Sequence, residues 1–544
     1  MSTTSTIPAT IPVTIPAALR RASSTAGHAL AVADAERRLT WRELHQEVQL
    51  TARALVALGL GRGDRLALWA PNSWQWVVCS LATTYVGATL VPLNSRYTGH
   101  EVVDVVRRTR ARIVVLADGF LGRDQLGELR SAAATDLEDD GSEGARALAG
   151  CPETVAVVTI GSQQPGAVSF SAIAEVAAPV DPERVETMAD AVGADDVADI
   201  LFTSGTTGRS KGACSAHRQT LAAAEAWATE GRVSGTDRYF VINPMFHAFG
   251  YKAGLLTCVL RTAAIVTRPL FDLDEATGLL RDEGISVIAA APPVFQDLLD
   301  SPDRPAHARL RLAVTGATLV PTVLIERIQQ ELDCPLVLTA YGLTEAVVAT
   351  MCRAGDAPDV IARTVGRAVC GFEVRIAGTA GAGTTGAGGA ATGVTGEVLL
   401  RGPNVMLGYL DDPEATAAAI DEDGWFHTGD VGSLDDTGYL TITDRLKDVV
   451  IVGGFNVYPA EIEQVLSRLP GVREVAAVGA PDPRLGEVVR ALVVRQPGSA
   501  LAAADVTTYC RERLANFKVP RAIEFVDALP RNAAGKVLRR SLRS

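Results

Sequence analysis

Between Leu201 and Gly212 two apolar residues run straight into a loop of three glycines, two serines, three threonines and one lysine (Leu-Phe-Thr-Ser-Gly-Thr-Thr-Gly-Arg-Ser-Lys-Gly). The apolar pair reads as the end of a buried strand. Gly205, Gly208 and Gly212 let the backbone turn tightly and bring its N–H groups close to an anion. The hydroxyls of Thr203, Ser204, Thr206 and Thr207 add donors, and Lys211 adds a mobile positive charge. Such a loop suits a polyphosphate. It is not the phosphate loop of kinases and GTPases, which needs Gly directly before Lys, where Ser210 stands. Composition alone would fit a flexible surface turn equally well, and the order of the residues argues against that.

Around this loop, short apolar runs at 66–69, 113–116, 155–160, 286–290, 312–315 and 337–339 alternate with helical stretches, the pattern of α/β layering. A helix is expected at about 40–58, where Thr40 and Glu43 form a capping box and Leu44, Val48 and Leu55 share a face. Residues 130–150 are rich in Ala, Gly and acids and read as a loop or loose helix. Residues 1–15, rich in Ser, Thr and Pro, read as a disordered tail. The segment 377–395 is almost wholly Gly, Ala and Thr, and fits an overlong flexible hairpin loop between strands at 373–376 and 397–400. Beyond 445 the composition changes. Pro459 suits a first helical position, Glu461 and Glu463 its first turn, and Ile462, Val465, Leu466 and Leu469 an apolar stripe. Strands at 475–478 and 488–494 and a helix at 503–514 complete an α+β module. The expectation is an α/β protein with a large multi-layer domain over 16–445 and a small α+β domain over 446–544.

A chain of 544 residues exceeds one ordinary core. Its net charge of −12, with no long basic block, argues against nucleic acid as a partner. The eight cysteines stand singly, without a zinc-type cluster or a disulfide framework. The N-terminus lacks the pattern of a secretory signal, and the best apolar run, 253–267, is cut by Arg261. These features read as a soluble, cytoplasmic protein with no membrane span.

Three further motifs follow the loop in order: Thr339-Ala-Tyr-Gly-Leu-Thr-Glu345, Trp425-Phe-His-Thr-Gly-Asp430 with Asp444-Arg-Leu-Lys-Asp448, and Leu529-Pro-Arg-Asn-Ala-Ala-Gly-Lys536. Together with the 203–212 loop they resemble the adenylate-forming superfamily: acyl-CoA synthetases, luciferases and the adenylation domains of peptide synthetases. The resemblance implies a carboxylic acid activated by ATP and Mg²⁺ to an acyl-adenylate and then passed to coenzyme A, with a small mobile C-terminal domain. It implies that Glu345 helps hold the metal, that Thr344 touches the α-phosphate, and that Tyr341 and Gly342 border the nucleotide and acyl group. The bland alternative for Glu345 is a helix cap. By the same resemblance Asp430 and Arg445 hold the ribose, Ile442 lies near the nucleotide, and Gly316, Ala317 and Thr318 flank adenine and the acyl site. Lys536 bridges the carboxylate and the α-phosphate, an electrostatic role. Lys447 marks the hinge of the small domain, and Gly453, Gly454 and Phe455 line the pantetheine channel of coenzyme A. A homodimer is compatible with the family.

Asn243-Pro-Met-Phe-His-Ala-Phe-Gly250 resembles the family segment bordering the acyl pocket, so Phe246, Phe249 and Tyr251 are its candidate walls. His247 either gates the pocket or is a packed core histidine. No aspartate occurs between 241 and 250 to pair with a substrate ammonium, which favours a plain carboxylic acid over an amino acid. Within the family, Pro71-Asn-Ser-Trp-Gln-Trp76, Pro92-Leu-Asn-Ser-Arg-Tyr97, Phe249-Gly-Tyr-Lys-Ala-Gly254 and Gly453-Gly-Phe-Asn-Val-Tyr-Pro459 look most like ligases activating a methyl-indanedione propionate (HIP). That acid is a bicyclic keto-acid left from sterol rings C and D. The 377–395 insertion and Val347-Val-Ala349 depart from that pattern. Alternatives are a ligase for medium-chain fatty or aryl acids, transfer to a carrier-protein thiol, and a non-catalytic nucleotide-binding protein.

Overall fold

The computed structural model describes residues 12–135, 147–203, 210–304, 309–316, 320–378, 394–445, 448, 450–452, 455–457, 459–482, 485–511, 513–514, 516–531 and 537–542. Among these, the alternating pattern becomes a stack of sheets with helices between them. Leu336–Leu343, Leu312–Thr315, Val287–Ala290, Arg238–Val241 and Ala264–Thr267 lie side by side and parallel within a nine-stranded sheet. An eight-stranded sheet runs Gly408–Tyr409, Lys211–Ala216, Val197–Thr203, Thr89–Pro92, Arg65–Trp69, Ile113–Ala117, Ala156–Ile160 and Val168–Ser169. Parallel strands covered on both faces read as unbroken apolar runs, and Ile113–Ala117 is buried at every position.

A smaller antiparallel sheet follows, Glu373–Gly378, Gly396–Arg401, Phe426–Leu434 and Leu440–Arg445. The last sheet joins Phe455–Val457, Val450–Val452, Gly486–Arg495 and Val472–Asp482, with Ala522–Phe525 alongside Gly486–Arg495. From Val450 onward the buried apolar residues form clusters of their own, separate from the large core of the first sheets.

Parallel topology decides where the site lies. In open α/β sheets, ligands bind beyond the carboxyl ends of the strands. The candidate stretches 243–250, 316–318 and 339–345 all leave from, or lie at, the carboxyl ends of strands in one parallel set: Arg238–Val241, Leu312–Thr315 and Leu336–Leu343.

Most expected elements are present, including Trp41–Ala57 with both halves of its Thr40–Glu43 capping box and Pro459–Leu466. The stretch read as a tail overlaps a helix, and residues 1–11 lie outside the described residues. Thr14 caps a helix Ile15–Ala26, and Ile15 is 1% exposed. Thr14 followed by Ile15 and Pro16 is a helix start, which the Ser/Thr/Pro composition concealed. The stretch from 130, read as a loop or loose helix, is helical as far as Thr135 in the helix Gln125–Thr135, whose Leu129, Ala132 and Ala133 are buried, and residues 136–146 lie outside the described residues. Ala377 and Gly378, placed in the insertion, instead pair with Glu397 and Gly396 at the end of a hairpin, and residues 379–393 lie outside the described residues. Among the described residues no helix is long and apolar enough to cross a membrane.

Candidate active site

Thr203 and Lys211 face each other across the antiparallel strands Val197–Thr203 and Lys211–Ala216, and Thr203 Oγ1 donates to the Lys211 carbonyl at 3.4 Å. The loop is therefore the tip of a hairpin, with Lys211 at its neck. Ser204, Gly205, Thr206, Thr207 and Gly208 lie outside the described residues. At Gly212 a Cβ would come within 2.9 Å of Ile200 and 3.1 Å of the Phe202 ring, so the return strand needs glycine there for close packing.

Gly408–Tyr409 pairs antiparallel with Lys211–Ala216, and this brings Tyr409 beside the hairpin neck. The Lys211 ammonium lies 4.8 Å from the centre of the Tyr409 ring, and the Tyr409 hydroxyl donates to Glu345 Oε1 at 2.8 Å. Burial, and then the neighbouring Glu345 carboxylate, push the Tyr409 phenol well above its ordinary range, so it stays a donor. Tyr409 is a site residue that sequence reasoning missed. Its signal is a two-residue strand, too short to show a period.

Glu345 does not cap a helix. It sits in the turn between Leu336–Leu343 and Ala346–Met351, antiparallel strands with an irregularity between Tyr341 and Leu343. At Gly342 a Cβ would approach the Val348 nitrogen to 2.5 Å and the Ala346 carbonyl to 2.8 Å, so the hairpin closes only over glycine. Thr344 and Glu345 are half-buried beside it. From the same hairpin Tyr341 donates to Asp430 Oδ2 at 2.6 Å. Asp430 is 4% exposed, its amide donates to Thr428 Oγ1 at 3.0 Å, and it pairs in register with Arg445. Gly432 pairs with Ile442 beyond an irregularity between Val431 and Gly432. Nothing is described of the Arg445 side chain, and Gly316 follows its strand directly while Ala317 and Thr318 lie outside the described residues. The loop neck, Glu345, Tyr341 and Asp430 thus form one connected group drawn from three sheets.

The donor chemistry at Glu345 fits a magnesium ion. It offers a hard carboxylate oxygen, half-buried and oriented by a neutral phenol, and Mg²⁺ needs only one or two such oxygens besides phosphate and water. Lys536, Lys447, Gly453 and Gly454 lie outside the described residues; Phe455 is in a strand, and only its backbone is described.

Around 243–250 the expectations divide. Phe246 and Phe249 are half-buried, and Phe249 meets Trp227 edge-on with ring centres 5.2 Å apart. His247 is exposed and accepts from the Phe249 amide through Nδ1 at 3.4 Å as the cap of a short helical turn, so it is not a packed core histidine. Tyr251 is fully buried against Trp76, ring centres 5.9 Å apart. The segment is pinned by Asn72, which donates to the Asn243 carbonyl at 3.0 Å and accepts from the Met245 amide at 2.7 Å. Asn72 and Trp76 both belong to the 71–76 stretch.

Residues 19–410 match the family described as AMP-binding enzyme, and residues 461–536 match the AMP-binding enzyme C-terminal domain. The chain is 50% identical over 531 residues, 97% of each chain, to a (7a-methyl-1,5-dioxo-octahydro-1H-inden-4-yl)propanoyl:CoA ligase of Rhodococcus jostii. It is 49% identical over 528 residues, 95% of each chain, to the ligase of the same name from Mycobacterium tuberculosis. Among solved structures, ATP-bound MatB from Rhodopseudomonas palustris matches with a TM-score of 0.84 at 31% identity, over 98% of both chains. With the neck of the 203–211 hairpin, Glu345 and Asp430 gathered in one place and relatives matched over nearly their whole length, the chain belongs to the AMP-binding enzymes as an acid:CoA ligase, built from a large N-terminal and a small C-terminal domain.

Proposed function

We propose that the acid is a methyl-indanedione propionate, the bicyclic keto-acid named in the two relatives that match at half identity over nearly their whole length. That identity is the observation that carries the reading. It is supported locally by Asn72 and Trp76, whose stretch resembles those ligases and which pack directly onto the 243–251 segment.

A carboxylate does not react with a thiol at neutral pH because its leaving group is poor. In the first step a carboxylate oxygen bonds to the α-phosphorus of ATP, the bond to the β-phosphate oxygen breaks, and pyrophosphate leaves. In the second the deprotonated thiol of coenzyme A adds to the acyl carbonyl and AMP departs. The hairpin tip and Lys211 hold the outer phosphates; at about 4 Å one such charge contact is worth about 4 kcal/mol at an effective dielectric of about 20. Glu345 would hold Mg²⁺, which when bound would draw charge from the phosphate oxygens. Asp430 accepts from the ribose hydroxyls, with Tyr341 fixing its orientation and Arg445 beside it in register. Thr344 contacts the α-phosphate. Lys536 offsets the repulsion between carboxylate and phosphate, then swings away about Lys447 so that Gly453, Gly454 and Phe455 admit the pantetheine arm.

The test is a thioester screen with ATP, Mg²⁺ and coenzyme A over bicyclic keto-propionates, medium-chain fatty acids and aryl acids. The expected result is a kcat/KM for the keto-propionate at least tenfold above the others. A fatty or aryl acid turned over better would replace the substrate assignment and leave the reaction intact.

A further inference from the structure

Beneath the phosphate hairpin lies an ion pair that the reaction above does not use. Lys252 Nζ is 2.9 Å from Asp199 Oδ1, and the two side chains are 3% and 0% exposed. Lys252 also donates to Ser215 Oγ at 2.9 Å, and Thr220 Oγ1 donates to Asp199 Oδ2 at 2.5 Å. Asp199 belongs to the strand that enters the phosphate loop, Val197–Thr203, and Ser215 to the strand that leaves it, Lys211–Ala216. Thr220 sits in the helix His217–Glu230. Lys252 lies in Tyr251–Leu256, a π-helical turn that directly follows the 243–250 segment. One ammonium therefore reaches both strands of the hairpin from the element that carries the acyl segment.

Stability alone does not account for such a pair. Taking two charges out of water costs several kcal/mol per ion, and apolar replacement of a buried pair is often neutral or stabilising. What a charged pair adds is a fixed distance and direction. Its surroundings are built for fixity as well. A Cβ on Gly250 would come within 2.3 Å of the Pro244 carbonyl, and one on Gly254 within 2.9 Å of Val241, so the backbone on both sides of Lys252 has no slack. π-helical turns are also frequent at functional sites.

We propose that Lys252 and Asp199 are positioning residues that hold the phosphate-binding hairpin at a set distance from the acyl-binding segment. The pair touches neither ATP nor the acid. It aligns the α-phosphate with the attacking carboxylate, and a misplacement of about 1 Å at that stage can cost about 100-fold in rate. The inference rests on the phosphate and acyl assignments proposed above, and it predicts a defect confined to adenylation. Thiolysis of an acyl-adenylate no longer involves the outer phosphates and does not depend on that distance.

Removing one charge leaves the other buried and unpaired, so the test is the paired replacement Asp199→Asn with Lys252→Met, similar in shape and neutral. Pyrophosphate release and thiolysis of supplied acyl-adenylate are measured separately, beside thermal unfolding. The expected result is a folded protein whose kcat for pyrophosphate release falls at least tenfold, with KM for ATP within about twofold and thiolysis unchanged. Ser215→Ala, which keeps both charges, should lose severalfold in the same step and serves if the paired variant does not fold. Lys252→Arg should restore part of the rate relative to the paired variant. Unchanged pyrophosphate release in the folded variants, or an equal loss in both half-reactions, overturns the proposal. A parent protein that releases pyrophosphate with no acid would instead overturn the site assignments on which it rests.

Discussion

The hydroxyl of Tyr409 donates to Glu345 at 2.8 Å while the face of its ring lies 4.8 Å from the Lys211 ammonium. One side chain therefore keeps an acidic and a basic group of the site oriented and separate, where direct pairing would neutralise both. Tyr409→Phe keeps the ring and removes the donor. Loss of a partner that orients a metal ligand typically costs 10–100-fold in metal affinity. The Mg²⁺ concentration for half-maximal pyrophosphate release should rise about tenfold, while KM for the acid stays unchanged. Tyr409→Leu should in addition raise KM for ATP, because Lys211 loses a cation–π contact worth about 1 kcal/mol. A magnesium titration of the three proteins decides the first point, and an ATP titration at saturating Mg²⁺ the second.

The Tyr341–Asp430 hydrogen bond gives a test of the ribose assignment. A hydrogen bond to a charged group is worth about 1.5–3 kcal/mol. Tyr341→Phe should therefore raise KM for ATP by about tenfold or more. Asp430→Asn should also erode the preference for ATP over 2′-deoxy-ATP, since an amide cannot accept from both hydroxyls as a carboxylate does. Steady-state kinetics with the two nucleotides provide the readout, and unaltered discrimination by Asp430→Asn would remove Asp430 from the ribose.

Why some of this was legible and some not follows from range. Leu312–Thr315 and Ile113–Ala117 announce themselves because a strand buried on both faces must be apolar throughout. The Thr40–Glu43 cap is legible because its partners are three residues apart. Glu345 and Asp430 were found through motif resemblance, yet their mutual placement depends on sheet order, which no local pattern carries. Tyr409 depends on a two-residue pairing with a hairpin far away in the chain, and the Lys252–Asp199 pair joins residues from separate elements. The burial of Tyr251 is not legible either, because an aromatic beside a binding segment reads the same at any depth. Ile15 was hidden by a composition typical of tails.

His217 supplies a pH dependence of stability. It is fully buried, accepts the Ile15 amide through Nδ1 at 3.2 Å, and so anchors the start of the N-terminal helix in neutral form. Burial pushes its imidazole down from 6.5 to about 4, with Asp196 opposing the shift. The unfolded chain binds the proton at about 6.5 and the folded one at about 4, so stability is complete above the first value. It falls as pH drops through that window and levels off below it. At about 1.4 kcal/mol per pH unit, the full loss is about 3 kcal/mol. His217→Gln can keep an acceptor for Ile15 without titrating, and its denaturation midpoint should vary less between pH 7 and 4 by that amount. Parallel curves for the two proteins would assign the acid sensitivity elsewhere.

The last prediction separates the two half-reactions through Lys536, which lies outside the described residues and whose role rests on the Pro530–Lys536 motif. In the proposed reaction it would offset charge between a carboxylate and a phosphate that otherwise repel, and this need ends once the acyl-adenylate exists. Removing a preorganised charge of this kind typically costs 100–1,000-fold in rate. Lys536→Ala should therefore lose about that factor in pyrophosphate release while thioester formation from supplied acyl-adenylate survives. Lys536→Arg should recover little, because its planar fork does not replace a compact ammonium reaching between two oxygens. If alanine slowed both steps alike, the lysine would act in the thiolysis arrangement too, and the rotation about Lys447 would lose its rationale.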